Sequence, residues 1–144
     1  MTTKVSLVCT RNRLEGVPRA ISLLQSNPVQ RKAVVLKPNF NSADLAPGST
    51  HNDTLRALVQ TLKGMGAKRI TVAERSGPGA PTKDVMEKKG IFALAKELDF
   101  EVINLEEAKP EDWVHVRPKD SHWKDGFLFP RIYTEAESIV QTCC

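Results

Sequence analysis

Lys37, Asn39 and Asn41 follow the apolar run Val34-Val35-Leu36 and precede Gly48-Ser49-Thr50-His51, where an amphipathic segment begins. A continuous apolar run suits a parallel strand covered on both faces, and strands of that kind present ligands at their carboxyl ends. Lys37 brings a cation to such an end, Pro38 holds its predecessor extended, and the Asn39 amide both donates and accepts. That set suits a small anionic ligand, although a solvated lysine followed by a turn accounts for the same tripeptide. Ser49 and Thr50 stand at a helix start, where unpaired N–H groups favour anions. Thr50 as N-cap with Asp53 three residues later is a relaxed capping box,. Capping does not call for His51, whose imidazole at this position suits a neutral donor, acceptor or ligand; a surface histidine without a role is the plainer reading.

The second polar group is Glu74-Arg75-Ser76-Gly77-Pro78-Gly79. It matches neither the Gly-x-Gly-x-x-Gly fingerprint nor a Walker lysine motif, which disfavours dinucleotide binding of the standard kind. Glu74 is a candidate general base or metal ligand, or the partner of a nearby cation. The glycines supply turn angles in the plainer reading. If the strands ending at Leu36 and Ala73 are neighbours, Lys37, Asn39, Thr50 and His51 meet Glu74, Arg75, Ser76 and Gly77. The expected site then has His51 and Glu74 for proton transfer, and Lys37, Asn39, Ser49, Thr50, Ser76 and Gly77 for binding. The cofactor and the reaction stay open.

No metal site is expected. His115 and His122 have no helical i, i+4 partner, and the three cysteines include no Cys-x-x-Cys pair,. Cys9, Cys143 and Cys144 read as buried, reduced thiols. Trp113 and Trp123 either pack a flap or cover a ligand.

The elements that would position these groups alternate. Val5 to Cys9 reads as a strand, followed by a helix carrying Val17, Ala20, Ile21 and Leu24 and a stop at Asn27-Pro28,. Ala33 to Leu36 is the next strand, with a helix from His51 to Lys63 whose Leu55, Leu58, Val59 and Leu62 fall at i, i+3, i+4 and i+7,. Arg69 to Ala73 is rich in β-branched residues,. Thr82 reads as the N-cap of a short helix ending near Lys89, Gly90 as a left-handed turn, Ile91 to Leu98 as a helix and Phe100 to Leu105 as a strand,. Trp113 to Arg117 and Phe127 to Phe129, joined through Lys124-Asp125-Gly126, form a two-stranded flap,. Ser138 to Cys144 reads as a further core strand containing Ile139 and Val140. The expected fold class is α/β, a three-layer sandwich with a mainly parallel, Rossmann-like sheet and a small β-hairpin flap.

The chain has 144 residues, 40% of them hydrophobic and 26% charged, which fits a single α/β domain,. A strand at the very C-terminus predicts that residues 1–144 are the N-terminal part of a longer protein. The N-terminus shows no signal peptide or membrane span, so a cytoplasmic location with no membrane partner is expected. The net charge is +4, but the basic residues occur in scattered pairs such as Arg31-Lys32 and Lys88-Lys89, which disfavours nucleic acid as a partner,.

The strand ending in VVLKPNFNS, the STH that opens a helix, GMGAKRITVAERSG and GIFALAKELDFEVINL together resemble the family called domain of unknown function 362. The resemblance spans residues 5 to 144 and is strongest from 33 to 105. It implies that Lys37, Pro38, Asn39, Thr50 and His51 occupy recurrent strand-end and helix-start positions, and that Glu74 and Ser76 lie in the loop after the following strand. It implies no settled activity. Many relatives look like longer proteins with ferredoxin-type cysteine clusters, so the alternative expectation is a redox-associated module whose iron–sulfur domain or subunit lies outside this chain.

Overall fold

The computed structural model describes residues 3–143. Helix α1 (Arg13–Leu23) leads to strand β1 (Ala33–Lys37), helix α2 (Asn52–Gly64) and strand β2 (Arg69–Glu74). Helices α3 (Thr82–Lys88) and α4 (Ile91–Leu98) precede strand β3 (Glu101–Asn104). Strands β4 (Trp113–Val116) and β5 (Phe127–Pro130), the single-turn helix α5 (Arg131–Thr134) and strand β6 (Ser138–Gln141) complete the order.

The main sheet has the order β3-β2-β1-β6, with every neighbouring pair parallel. Its register sets Leu36 against Val72 and Val140, and places Lys37 beside Gln141. Side chains alternate between faces along a strand. Val34, Leu36, Ile70 and Val72 therefore share one face, where they pack with Leu55, Leu58, Val59 and Leu62 of α2, Ile91 and Leu94 of α4, Met86 of α3, and Val17 and Ile21 of α1. Burying each large member of this cluster contributes about 1.5–3 kcal/mol. The opposite face carries Val35 and Ala73 against Leu105, Tyr133, Ile132 and Ala136. Helices on one face and α5 with the β4-β5 pair on the other give the expected three-layer α/β arrangement.

The β4-β5 flap forms as its alternation and turn predict, with Val116 opposite Phe127 and Gly126 at φ +77° in the turn. Gly90 takes the left-handed conformation (φ +68°) between α3 and α4. No helix among the described residues is long and apolar enough to cross a membrane.

Local expectations fail in several places. Val5 to Cys9 is not a strand: it runs beside α1, with the Ser6 hydroxyl donating to the Ala20 carbonyl at 2.7 Å, while Val5 and Leu7 are 87% and 93% exposed. Both positions flanking β1 are taken, by β2 and β6, and β-propensity alone does not supply a ladder partner,. Cys9 and Cys143 are exposed rather than buried, and Cys144 lies outside the described residues. Strand β6 is an edge strand, so Ile139 on its second face is half exposed, whereas Val140 packs against the main core. The helix caps also shift by one residue. His51 caps α2 and Pro81 precedes α3, because the Thr50 and Thr82 hydroxyls are used elsewhere.

Candidate functional site

Parallel pairing brings the carboxyl ends of β1 and β2 together, and with them Lys37 and Glu74. The Lys37 ammonium donates to both Glu74 carboxylate oxygens, at 3.0 and 3.2 Å, and to the Pro38 carbonyl at 3.2 Å. Glu74 is only 2% exposed. It also accepts from the backbone N–H of Phe40 at 3.1 Å and of Arg75 at 2.9 Å. A carboxylate this deep is tolerated because each oxygen meets the ammonium and one backbone donor. The loop after β1 thus folds over the end of β2, anchored on Glu74. The Lys37 side chain remains 36% exposed.

The hydroxyls of the expected binding set hold loops to one another. Thr50 Oγ1 accepts from the Asn39 N–H at 2.8 Å and lies 2.9 Å from Thr142 Oγ1, and the Thr50 N–H donates to the Asn39 carbonyl at 2.8 Å. Asn39 is therefore clamped through its backbone. The buried Ser49 hydroxyl donates to the Ser42 carbonyl at 2.8 Å. The Ser76 hydroxyl donates to the Phe40 carbonyl at 2.7 Å, and its N–H donates to Thr82 Oγ1 at 2.9 Å. Gly77 donates its N–H to the Asn41 carbonyl at 3.0 Å, and a Cβ there would come within 2.5 Å of Asn41 Oδ1. The glycine leaves room for the Asn41 side chain, a different reason from a turn angle,. His51 accepts the Asp53 N–H on Nδ1 at 3.1 Å, which is an N-cap interaction,.

Lys37 also borders a cavity of about 260 Å³ lined by Phe129, Tyr133, Ile139 and Gln141. The register explains the set: Lys37 and Gln141 are paired, and so are Val35 and Ile139, which puts these residues on the second face. Phe129 of β5 and Tyr133 of α5 close the cavity from above, their ring centroids 5.8 Å apart. The Tyr133 hydroxyl donates to the Ala73 carbonyl at 2.8 Å. Burial, with the nearby Glu74 charge as a lesser cause, pushes that hydroxyl well above its ordinary value of 10.0,. Of the residues expected at the site, Lys37 is the one that lines this cavity; His51, Ser49, Thr50 and Ser76 do not. The lining residues Phe129, Tyr133, Ile139 and Gln141 escaped sequence reasoning. Their signal was the parity of β6 against β1, which becomes readable only once those two strands are known to be neighbours.

Larger hollows of about 400 Å³ lie between α1 and α2 and beside α5. The first is shallow and mostly apolar, and in the second Arg131 is already held by Glu135 and the Glu111 carbonyl. Among the described residues, no group of three or more His, Cys, Asp or Glu side chains is placed to hold a metal ion. With Cys9 and Cys143 as free exposed thiols, residues 3–143 do not supply the thiolate set of an iron–sulfur cluster,.

A protein-family model described as "Domain of unknown function (DUF362)" matches residues 34–144. The chain belongs to that family. No curated protein and no solved structure matches it.

Proposed function

We propose that this DUF362 member binds a small anionic ligand at the carboxyl edge of its sheet, with Lys37 as the group that meets the negative charge. The observation that carries this reading is the partly exposed Lys37 side chain at the rim of a metabolite-sized cavity, its ammonium fixed by the buried Glu74. Two backbone N–H groups share the Glu74 charge with the ammonium, which Glu74 and the Pro38 carbonyl hold in place. A cation held this way loses little conformational freedom on meeting an anion.

In this reading Glu74 anchors the lysine. Asn39, Ser49, Thr50, Ser76 and Gly77 build the loop rim that keeps Phe40 and Arg75 positioned over Glu74. A proton-transfer role for His51 would run beside its capping of α2.

The direct test is a titration with sodium acetate, followed by amide and methyl chemical shifts. Saturable shifts at Gln141 and Ile139 in the wild type, lost in Lys37→Gln, are expected. Glutamine keeps an N–H donor toward Glu74 while removing the charge. Identical titrations of the two proteins would remove Lys37 as the anion-binding group.

A further inference from the structure

Resting on that reading, we infer that the ligand is a monocarboxylic acid with a compact apolar, preferably aromatic, body, its head at Lys37 and Gln141 and its body between Phe129, Tyr133 and Ile139. Shape, polarity and charge each narrow the choice. The cavity, about 260 Å³, falls below the roughly 300 Å³ where pockets for drug-sized molecules begin,. A cofactor of nucleotide size would have to lie mostly outside it.

Polarity separates the two ends of the cavity. Lys37 and Gln141 sit side by side at the end of the β1-β6 ladder. The rest of the lining is two aromatic rings and an aliphatic chain, and the Tyr133 hydroxyl is already committed to the Ala73 carbonyl. A sugar or another polyol would bury hydroxyls against this wall without partners. Phe129 and Ile139 are 38% and 49% exposed, apolar surface that a ligand body would cover. The Phe129 and Tyr133 rings are tilted by 45°, which leaves a ring-shaped guest both a face and an edge to meet,.

Charge excludes the denser anions. The single ammonium is shared with Glu74, and among the described residues no second cation lines the cavity. A phosphate ester would bring close to two negative charges to one shared cation, whereas a carboxylate brings one and can also accept from the Gln141 amide.

The experiment compares phenylacetate, acetate, 2-phenylethanol and phenyl phosphate by calorimetry on the wild type, Lys37→Gln and Ile139→Trp. The last variant fills the cavity from an edge-strand position that tolerates bulk and leaves the Lys37–Glu74 pair untouched; an unchanged thermal midpoint confirms its fold. Phenylacetate is expected to bind at least about tenfold more tightly than each of the other three compounds, and to lose that advantage in both variants. If acetate binds as well as phenylacetate and both need Lys37, the apolar body is wrong while anion binding at Lys37 stands. Equal affinity for 2-phenylethanol or phenyl phosphate overturns the carboxylate head. Phenylacetate binding that survives Ile139→Trp moves the ligand out of this cavity and overturns the inference. Absence of binding by both acids overturns the inference and the anion-binding reading together.

Discussion

The Lys37 ammonium and the Glu74 carboxylate form a pair at 3.0 Å that closes the carboxyl ends of adjacent parallel strands, with the lysine side chain 36% exposed and the glutamate buried. The asymmetry gives the partners different jobs. Glu74 gathers Lys37, Phe40 and Arg75 into one arrangement, and Lys37 is the side of that arrangement which faces outward.

Removing the lysine therefore acts on stability as well as binding. Lys37→Met leaves Glu74 buried with backbone donors alone, and a loss of about 3 kcal/mol in urea unfolding is expected. Glu74→Leu in the same background should recover part of it, because the stranded charge disappears. Strict additivity of the two changes would show that the pair is not coupled.

Tyr133, the one tyrosine of the chain, makes alkaline pH informative. Its hydroxyl is held above the ordinary value of 10.0 in the folded protein, so the folded state keeps a proton that the unfolded state releases. The associated stability is fully present below pH 10 and declines as pH rises beyond it, by up to about 1.4 kcal/mol per pH unit. Unfolding free energies measured across that range should lose this slope in Tyr133→Phe. A tyrosinate absorbance that develops at ordinary pH in the native protein would contradict the burial argument.

His51 can be separated into cap and chemistry. His51→Ala should cost about 1 kcal/mol through the lost acceptor for the Asp53 N–H,. His51→Asn should retain most of the stability, since asparagine is a good cap. Acetate binding that survives in the asparagine variant would leave His51 as a structural residue; binding that fails while stability holds would restore a role for the imidazole.

The two glycines of the loop after β2 should behave differently. Gly77→Ala obliges the exposed Asn41 amide to turn aside and is expected to destabilise the protein by up to about 1 kcal/mol,. Gly79 has nothing within 4 Å of the equivalent position, so Gly79→Ala should be neutral or slightly stabilising,. Equal denaturant midpoints for both variants would remove the close-approach argument.

Acid should weaken a surface contact. The Arg56 guanidinium donates to Glu97, one bond measuring 2.8 Å, and that hydrogen bonding holds the Glu97 carboxyl below its ordinary value of 4.5. The small stabilisation is present above that value and is lost as pH falls through the lower folded one. Carboxyl carbon shifts in Arg56→Lys should show the Glu97 titration moving upward toward 4.5.

What could be read from residue order alone was whatever depends on near neighbours along the chain. The apolar stripe of α2, the buried run of β1, the left-handed Gly90 and the turn at Gly126 follow from periodicity and backbone sterics, and the α/β class follows from their alternation. The convergence of Lys37 with Glu74 was legible only on the condition that their strands are neighbours, which the parallel pairing of β1 with β2 supplied. Tertiary structure decided the rest, because those outcomes depend on which distant groups compete for one partner. Thr50 gave up its cap when the Asn39 N–H took its hydroxyl, and His51 replaced it. Val5 to Cys9 has strand-like residues but lost the place beside β1 to a segment over a hundred positions later. That same long-range pairing set Gln141 and Ile139 next to Lys37 and made the cavity; no local pattern encodes it, since register between remote strands is settled only by the packing of the whole sheet.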